Sequence, residues 1–122
     1  DLICLHCPST ARTRQMINAQ SIGTMKWGVM LVNTSRGTLV NTADLVAALE
    51  SGHISAAALD VVDPEPIPAD SPLLKMDNVI LHSHVAANSV TARTRLRTSV
   101  AEVVARAVRG EKLVNVVNGV DG

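Results

Sequence analysis

Aromatic side chains are almost absent from this sequence, which contains one tryptophan, Trp27, and neither tyrosine nor phenylalanine. Proteins that bind nucleic acids commonly stack bases on aromatic rings and attract phosphates with a basic surface. This chain has 11 basic and 11 acidic residues and a formal net charge of zero. Nucleic acid is therefore not an expected partner, and the core must be built from aliphatic side chains and methionine.

Long apolar runs are also missing. No run approaches the roughly 18 residues that a membrane-spanning helix requires, so we expect no membrane partner. Hydrophobic residues nevertheless make up 47% of the chain and charged residues 18%, a composition that excludes intrinsic disorder. The 122 residues suit one compact domain.

Cysteine is scarce, since Cys4 and Cys7 in Cys-Leu-His-Cys are the whole complement. A zinc site of four ligands would need a second pair, so we expect no metal. Residues three apart on a strand point to opposite faces, which favours two buried small hydrophobic side chains in a reducing cytoplasm. The chain begins at Asp1, directly before an apolar run, and no signal peptide is visible. We therefore expect a cytoplasmic protein and a fragment of a longer chain.

Four short apolar runs predict buried strands. Each is too short for a buried helix, and continuous apolar runs are typical of parallel strands that are covered on both faces. The predicted strands cover residues 2–7, 29–32, 56–62 and 79–81.

Capping residues place helices between and after these strands. Asn18 and Asn41 are candidate N-caps, and Gly52 is the expected left-handed end of the second helix. A third helix is predicted over 89–109, with its apolar residues mostly on one side and its arginines exposed. The alternation of strands and helices predicts an α/β fold, one half of a doubly wound, Rossmann-type parallel sheet with flanking helices.

Polar residues follow the predicted strands at their carboxyl ends, where open α/β sheets bind ligands. Arg36 follows the second strand, and its planar guanidinium can hold a carboxylate or phosphate by two parallel hydrogen bonds. The alternative is an ordinary surface arginine. Asp60 interrupts the third run, so it is either a structural hydrogen-bond acceptor or, as we favour, a ligand contact.

Glu65 lies in the proline-rich segment Asp-Pro-Glu-Pro-Ile-Pro, at residues 63–68. Prolines on both sides stiffen the backbone, and a stiff loop can aim a side chain. The irregular segment 63–78 is long for a compact domain, and loops of that length tend to be functional.

The motifs, taken in order, resemble those of the D-isomer-specific 2-hydroxyacid dehydrogenases over nearly the whole chain. They are Leu-His-Cys-Pro, Met-Lys-Trp-Gly, Val-Asn-Thr-Ser-Arg-Gly, Ala-Ala-Leu-Asp-Val, Pro-Glu-Pro and Val-Ile-Leu-His-Ser-His. Each motif alone is weakly specific, whereas six in the usual order and spacing are strongly so.

The resemblance implies an oxidoreductase that transfers a hydride between NAD(H) and a D-2-hydroxy acid or 2-oxo acid, with NADP as an alternative cofactor. It implies three catalytic residues: Arg36 to hold the substrate carboxylate, His84 as the acid and base, and Glu65 to orient His84 and favour its charged form. The residues that it implies for the cofactor site are Pro8, Thr34, Ser35, Arg36, Asp60, His84, Ala86 and Ala87.

Two departures from the family pattern bear on this reading. Most relatives have Thr-Pro before the catalytic histidine, whereas this chain has His82-Ser83, which makes His82 a rival to His84. No G-x-G-x-x-G motif occurs, so residues 1–122 are expected to form part of an NAD-binding domain, without its glycine loop and without the substrate domain. The isolated chain is then expected to be inactive.

Other functions stay open at this point. The full-length parent, expected to be a homodimer, could be of the phosphoglycerate, glyoxylate or hydroxypyruvate type, because the residues that choose the 2-oxo acid come largely from the absent domain. One alternative is an NAD(H)-sensing protein like the C-terminal-binding-protein corepressors, which share these motifs. The other is a catalytically inert fragment.

Overall fold

The computed structural model describes residues 1–117. The chain divides into two compact units, Asp1–Ala86 and Ala87–Gly122. The first unit contains a four-stranded sheet, two α-helices and two short 3-10 helices, Gly37–Leu39 and Pro72–Lys75. The described part of the second unit contains one long helix.

The sheet is parallel and its strands are neighbours in chain order, β1-β2-β3-β4. Its strands are β1 (Leu2–Leu5), β2 (Val29–Asn33), β3 (Ile54–Leu59) and β4 (Val79–Leu81). A parallel sheet built by successive crossovers in one direction is one half of a doubly wound fold, which confirms the predicted fold class.

The boundaries of β3 differ from the prediction of 56–62. The strand begins at Ile54, whose side chain is completely buried, and it ends at Leu59, which pairs with Asn33 at the end of β2. Asp60 therefore follows the strand instead of lying inside it. The apolar pattern missed this end because Val61 and Val62 continue the run after the pairing with β2 has stopped.

Both α-helices of the first unit, α1 (Ala19–Gly23) and α2 (Thr42–Ser51), begin at the predicted N-caps. Helix α2 also ends at the predicted Gly52, whereas α1 ends at Gly23 and not at Gly28, which the sequence had suggested as its end. For α1, the Asn18 side chain accepts from the Ser21 amide at 3.1 Å, and the Ser21 hydroxyl accepts from the Asn18 amide at 3.0 Å. For α2, the Asn41 side chain accepts from the Asp44 amide. Gly52 ends this helix with a φ of 79°, the left-handed conformation that glycine adopts without strain.

The two faces of the sheet differ in burial. The core contains aliphatic side chains from the strands and from α2, including Leu5, Leu31, Leu45, Leu49, Ile54 and Leu59. On the opposite face of the sheet, Leu2, Met30 and Ile80 are exposed. Cys4 is also exposed and Cys7 is partly buried, so the expectation that both cysteines are buried is wrong, most clearly for Cys4, which lies on the exposed face of β1.

The second unit contains α3 (Val90–Val108), one residue shorter at each end than the predicted helix over 89–109. The Ser89 hydroxyl accepts from the Ala92 amide at 3.1 Å, and Gly110 has a φ of 66° just beyond the helix. Among the described residues, no helix is both long enough and apolar enough to cross a bilayer.

Candidate active site

A buried amide holds the turn that follows β2. Asn33, the last residue of the strand, is completely buried, and its side-chain NH₂ donates to the carbonyl of Arg36 at 2.9 Å. Its side-chain oxygen accepts from the amide of Ser35 at 3.0 Å, and the Ser35 hydroxyl donates to the carbonyl of Leu5 at 2.6 Å. We call residues 34–36 the arginine turn. Its backbone is fixed, whereas the side chain of Arg36 is exposed and donates to the carbonyl of Ser35.

Gly37 brings the arginine turn against the segment that leads to Glu65. A Cβ atom at this position would lie 1.8 Å from the carbonyl oxygen of Val62, a separation that no side chain can adopt. The hydroxyl of Thr42 donates to the carbonyl of Asp63 at 2.6 Å and ties the same segment to α2. Only glycine therefore fits after Arg36 while the two segments stay in contact.

A buried carboxylate holds a second turn, which follows β4. Asp60 accepts from the amide of Val85 at 2.8 Å with one carboxylate oxygen and from the amide of Ala86 at 2.9 Å with the other. Its backbone carbonyl accepts from the amide of His84 at 2.9 Å. We call residues 84–86 the histidine turn. His84 has a φ of 57°, an uncommon conformation for a residue other than glycine, and the three bonds to Asp60 hold it there.

These contacts also determine the ionisation of Asp60. Burial favours the neutral acid, but hydrogen bonds from the Ala86 and Val85 amides and the nearby His82 and His84 outweigh it, so the pKa of Asp60 lies below its ordinary value. Asp60 is therefore an anion at neutral pH, although its side chain is almost completely buried.

His84 and Glu65 form the closest contact between ionisable groups at this edge of the sheet. The ring Nδ1 of His84 lies 2.8 Å from Oε1 of Glu65, and both side chains are about half exposed. Because an ionised carboxylate only accepts hydrogen bonds, Nδ1 donates in this pair. Nε2 has no hydrogen-bond partner within residues 1–117. His82 instead faces Asp60, with Nδ1 3.6 Å from Oδ1, which is too long for a hydrogen bond.

Two cavities meet at Asp60 and His82. The larger, about 520 Å³, is bordered by Glu65 and His84 and has an apolar wall that includes Ile67, Leu74 and Leu81. The smaller, about 250 Å³, is lined by residues from three strand ends and the histidine turn: Val32, Thr34, Ala58, Leu59, Asp60, Ile80, His82, Val85 and Ala86. Among the predicted site residues, the structure thus brings Asp60, Glu65 and His84 together in one cavity, and Thr34, Asp60 and Ala86 in the other.

The other predicted site residues lie elsewhere. Arg36 and Ser35 line neither cavity, although their turn contacts the segment before Glu65. Pro8 lies in the exposed loop after β1, where its carbonyl accepts from the Thr13 hydroxyl at 2.8 Å. Ala87 begins the second unit, and its carbonyl accepts from the Ser89 amide.

Sequence reasoning missed Asn33 and Gly37 as residues that shape the site. The signal for Asn33 was its place at the end of an apolar run, because a polar side chain that is buried there must find hydrogen-bond partners nearby. Nothing in the sequence indicated that Val62 approaches Gly37, since that contact joins segments 25 residues apart.

The arrangement is suited to proton transfer next to a bound anion. An imidazole whose Nδ1 is held by a carboxylate can donate or accept a proton at Nε2, and a guanidinium can hold a carboxylate by two hydrogen bonds. The lining of the smaller cavity would suit the amide-bearing ring of a nicotinamide dinucleotide, because most of its side chains are apolar and the Asp60 oxygens keep lone pairs for an amide donor.

Comparison with protein families identifies the first unit. The family model described as "D-isomer specific 2-hydroxyacid dehydrogenase, NAD binding domain" matches residues 1–86. A glyoxylate reductase from Korarchaeum cryptofilum is 45% identical over 118 residues, which cover 97% of this chain. The chain spans 36% of the length of that relative.

Solved structures give the same family. A D-isomer-specific 2-hydroxyacid dehydrogenase from Xanthobacter autotrophicus Py2, in complex with NADPH and MES, matches with a TM-score of 0.83 and 36% identity. The match covers 96% of this chain and 48% of that one. The D-lactate dehydrogenase from Lactobacillus jensenii with NAD⁺ matches with a TM-score of 0.86 and 34% identity, over 97% of this chain and 39% of that one.

Proposed function

This chain belongs to the D-isomer-specific 2-hydroxyacid dehydrogenase family, and on that premise we propose that the full-length protein interconverts a small D-2-hydroxy acid and its 2-oxo acid with NAD(H). The observation that carries the proposal is the 2.8 Å contact between Nδ1 of His84 and Oε1 of Glu65 at the edge of a cavity. A histidine held in this way can act as general acid in reduction and as general base in oxidation.

His84 is the proposed proton donor. Reduction of a 2-oxo acid adds a hydride to C2 and a proton to the carbonyl oxygen, so a protonated group must face that oxygen. Glu65 holds Nδ1 and fixes the plane of the ring, which leaves Nε2 to give its proton to the substrate. In the reverse direction neutral His84 takes the proton of the 2-hydroxyl group.

Arg36 is the proposed ligand of the substrate carboxylate. Its guanidinium is permanently charged, and its planar fork matches a carboxylate with two parallel hydrogen bonds. The exposed side chain leaves the arginine turn at the same edge of the sheet as His84, which is the edge at which the substrate would bind. Two bonds to the carboxylate would orient the C2 carbonyl toward the proton donor.

The cofactor supplies the hydride in reduction and accepts it in oxidation. We propose that Thr34, Asp60 and Ala86 hold its nicotinamide end, because they line the smaller cavity beside the histidine turn. The remaining proposed contacts are Pro8, Ser35, Arg36, His84 and Ala87. We further propose that the full-length protein is a cytoplasmic homodimer and that its substrate is a small 2-oxo acid, as the name of the glyoxylate reductase relative suggests.

The test is an assay of NADH oxidation by the purified full-length protein with glyoxylate, hydroxypyruvate and pyruvate, repeated with NADPH. We expect at least one 2-oxo acid to be reduced to its D-2-hydroxy acid, with no NADH oxidation in its absence. If the protein binds NADH but reduces none of a broad panel of 2-oxo acids, the proposed function is wrong.

A further inference from the structure

Burial of the polar side chain of Asn33 costs free energy unless its hydrogen-bonding groups find partners. The side chain is completely buried at the end of a strand, next to the aliphatic core. A buried amide without partners costs more free energy than an apolar side chain of the same shape, so its hydrogen bonds indicate what the residue does.

Both hydrogen-bonding groups of the Asn33 side chain are used by the arginine turn. The NH₂ group donates to the carbonyl of Arg36 at 2.9 Å, and the oxygen accepts from the amide of Ser35 at 3.0 Å. Neither bond joins one strand to another, because pairing with β1 and β3 uses the Asn33 backbone. The side chain therefore fixes the backbone from which the Arg36 side chain leaves.

The same residue is linked to the histidine turn through the backbone. The carbonyl of Asn33 accepts from the amide of Asp60 at 3.0 Å, and Asp60 accepts from the three amides of residues 84–86. A continuous set of hydrogen bonds thus connects the backbone of Arg36 to the backbone of His84. Gly37 supports the turn from the other side, where it lies against Val62.

We propose that Asn33 is a positioning residue for the reaction: it acts through Arg36 and sets where the guanidinium meets the substrate carboxylate relative to His84. This inference rests on the proposed function, in which Arg36 holds that carboxylate. Catalysis depends on such placement because a displacement of about 1 Å in a group that orients the substrate can cost about a hundredfold in rate.

Asn33→Asp in the full-length protein is the first test variant. Aspartate keeps the shape and the oxygen that accepts from Ser35, but its second oxygen cannot donate to the carbonyl of Arg36. Asn33→Ala removes both hydrogen bonds without placing a charge in the interior. It replaces Asn33→Asp as the test variant if the buried charge of the aspartate prevents folding. The matched control is Asn78→Asp. Asn78 lies just before β4, and its side chain also donates to one backbone carbonyl, that of Ser55.

We expect each Asn33 variant to raise KM for the 2-oxo acid by about tenfold, the equivalent of one lost hydrogen bond. The affinity for NADH should stay within about twofold, and Asn78→Asp should change neither value by more than that. In the Arg36→Lys background, an Asn33 variant should add less than about twofold, because the group through which Asn33 acts is already altered.

The outcomes separate this inference from the proposed function. If Arg36→Lys alone leaves activity unchanged, Arg36 is not the carboxylate ligand, and both proposals about it are wrong. If Arg36→Lys impairs activity, any of three results overturns the positioning role. The first is an Asn33 effect on KM no larger than that of Asn78→Asp, and the second is an Asn33 effect that is equal in the wild-type and Arg36→Lys backgrounds. The third is loss of NADH binding in both Asn33 variants, which would indicate a purely structural role.

Discussion

The arginine turn and the histidine turn are held by the same geometry and by different chemistry. In each, a buried side chain at the carboxyl end of a strand binds the backbone of a turn that carries a proposed catalytic residue. The side chain is a neutral amide at Asn33 and a carboxylate at Asp60. Hydrogen bonds to a charged acceptor are roughly twice as strong as those between neutral groups, so the histidine turn is held more firmly.

The difference suits the residue that each turn carries. His84 has a left-handed backbone conformation that costs free energy, and the Asp60 anion offsets this cost through the Val85 and Ala86 amides. The neutral amide of Asn33 fixes the arginine turn by donating to one backbone carbonyl and accepting from one backbone amide, which a carboxylate at this position could not do.

Loss of the proton donor should have the largest effect on activity. His84→Gln in the full-length protein should lower kcat by about 10² to 10⁴, the usual contribution of a general acid or base. His53→Gln is the matched control, because His53 stacks on Trp27, with ring centroids 4.8 Å apart, and borders neither cavity. If His82→Gln proved inactive and His84→Gln active in the same assay, His82 and not His84 would be the proton donor.

The sequence was sufficient for the number and order of the strands, for the helix N-caps Asn18 and Asn41, and for the edge of the sheet at which the polar residues gather. Short apolar runs and the capping residues Asn18 and Asn41 are local signals, and the structure agrees with them because neighbouring residues decide them. The end of β3 and the approach of Gly37 to Val62 are decided by segments distant in sequence, which no local pattern encodes. The partners of Asp60 were missed for the same reason, since Val85 and Ala86 are 25 and 26 residues away.

Replacement of the guanidinium is expected to have the next largest effect. Arg36→Lys keeps the charge but loses the two parallel hydrogen bonds, so kcat/KM for the 2-oxo acid should fall by about 2 kcal/mol in transition-state free energy. NADH affinity should change little, as a binding titration would show. Arg12 lies in the loop after β1 and serves as the control. An equal loss of kcat/KM in Arg12→Lys would mean that the effect is not specific to the contact with the substrate carboxylate.

The contributions of Asp60 and Asn33 to the stability of the protein should also differ in their dependence on pH. Because the pKa of Asp60 is lowered in the folded protein, its stabilisation is fully present above about pH 4, the unfolded value, and is lost as pH falls through the lower folded value. Asp60→Asn should therefore destabilise the protein by about 1 to 2 kcal/mol at neutral pH, and by progressively less in acid.

Urea unfolding at several pH values measures this difference. Asp70→Asn, at an exposed aspartate, is the control, and Asn33→Ala should show a destabilisation that does not vary with pH. A cost of Asp60→Asn that stays constant down to the acid transition would show that the charge of Asp60 does not support the histidine turn.

The contact between Glu65 and His84 is the central claim of the functional account, and the turnover rate of Glu65→Gln in the full-length protein tests it most directly. Glutamine keeps the shape but replaces the carboxylate that accepts from Nδ1 and holds the plane of the ring. The value of kcat should fall by about tenfold or more in both directions, the equivalent of one lost hydrogen bond to a charged group, while the affinity for NADH changes little. Glu50→Gln, at an exposed glutamate of α2, should change neither value. A kcat of Glu65→Gln equal to that of the unaltered protein would show that the two residues do not act as a pair.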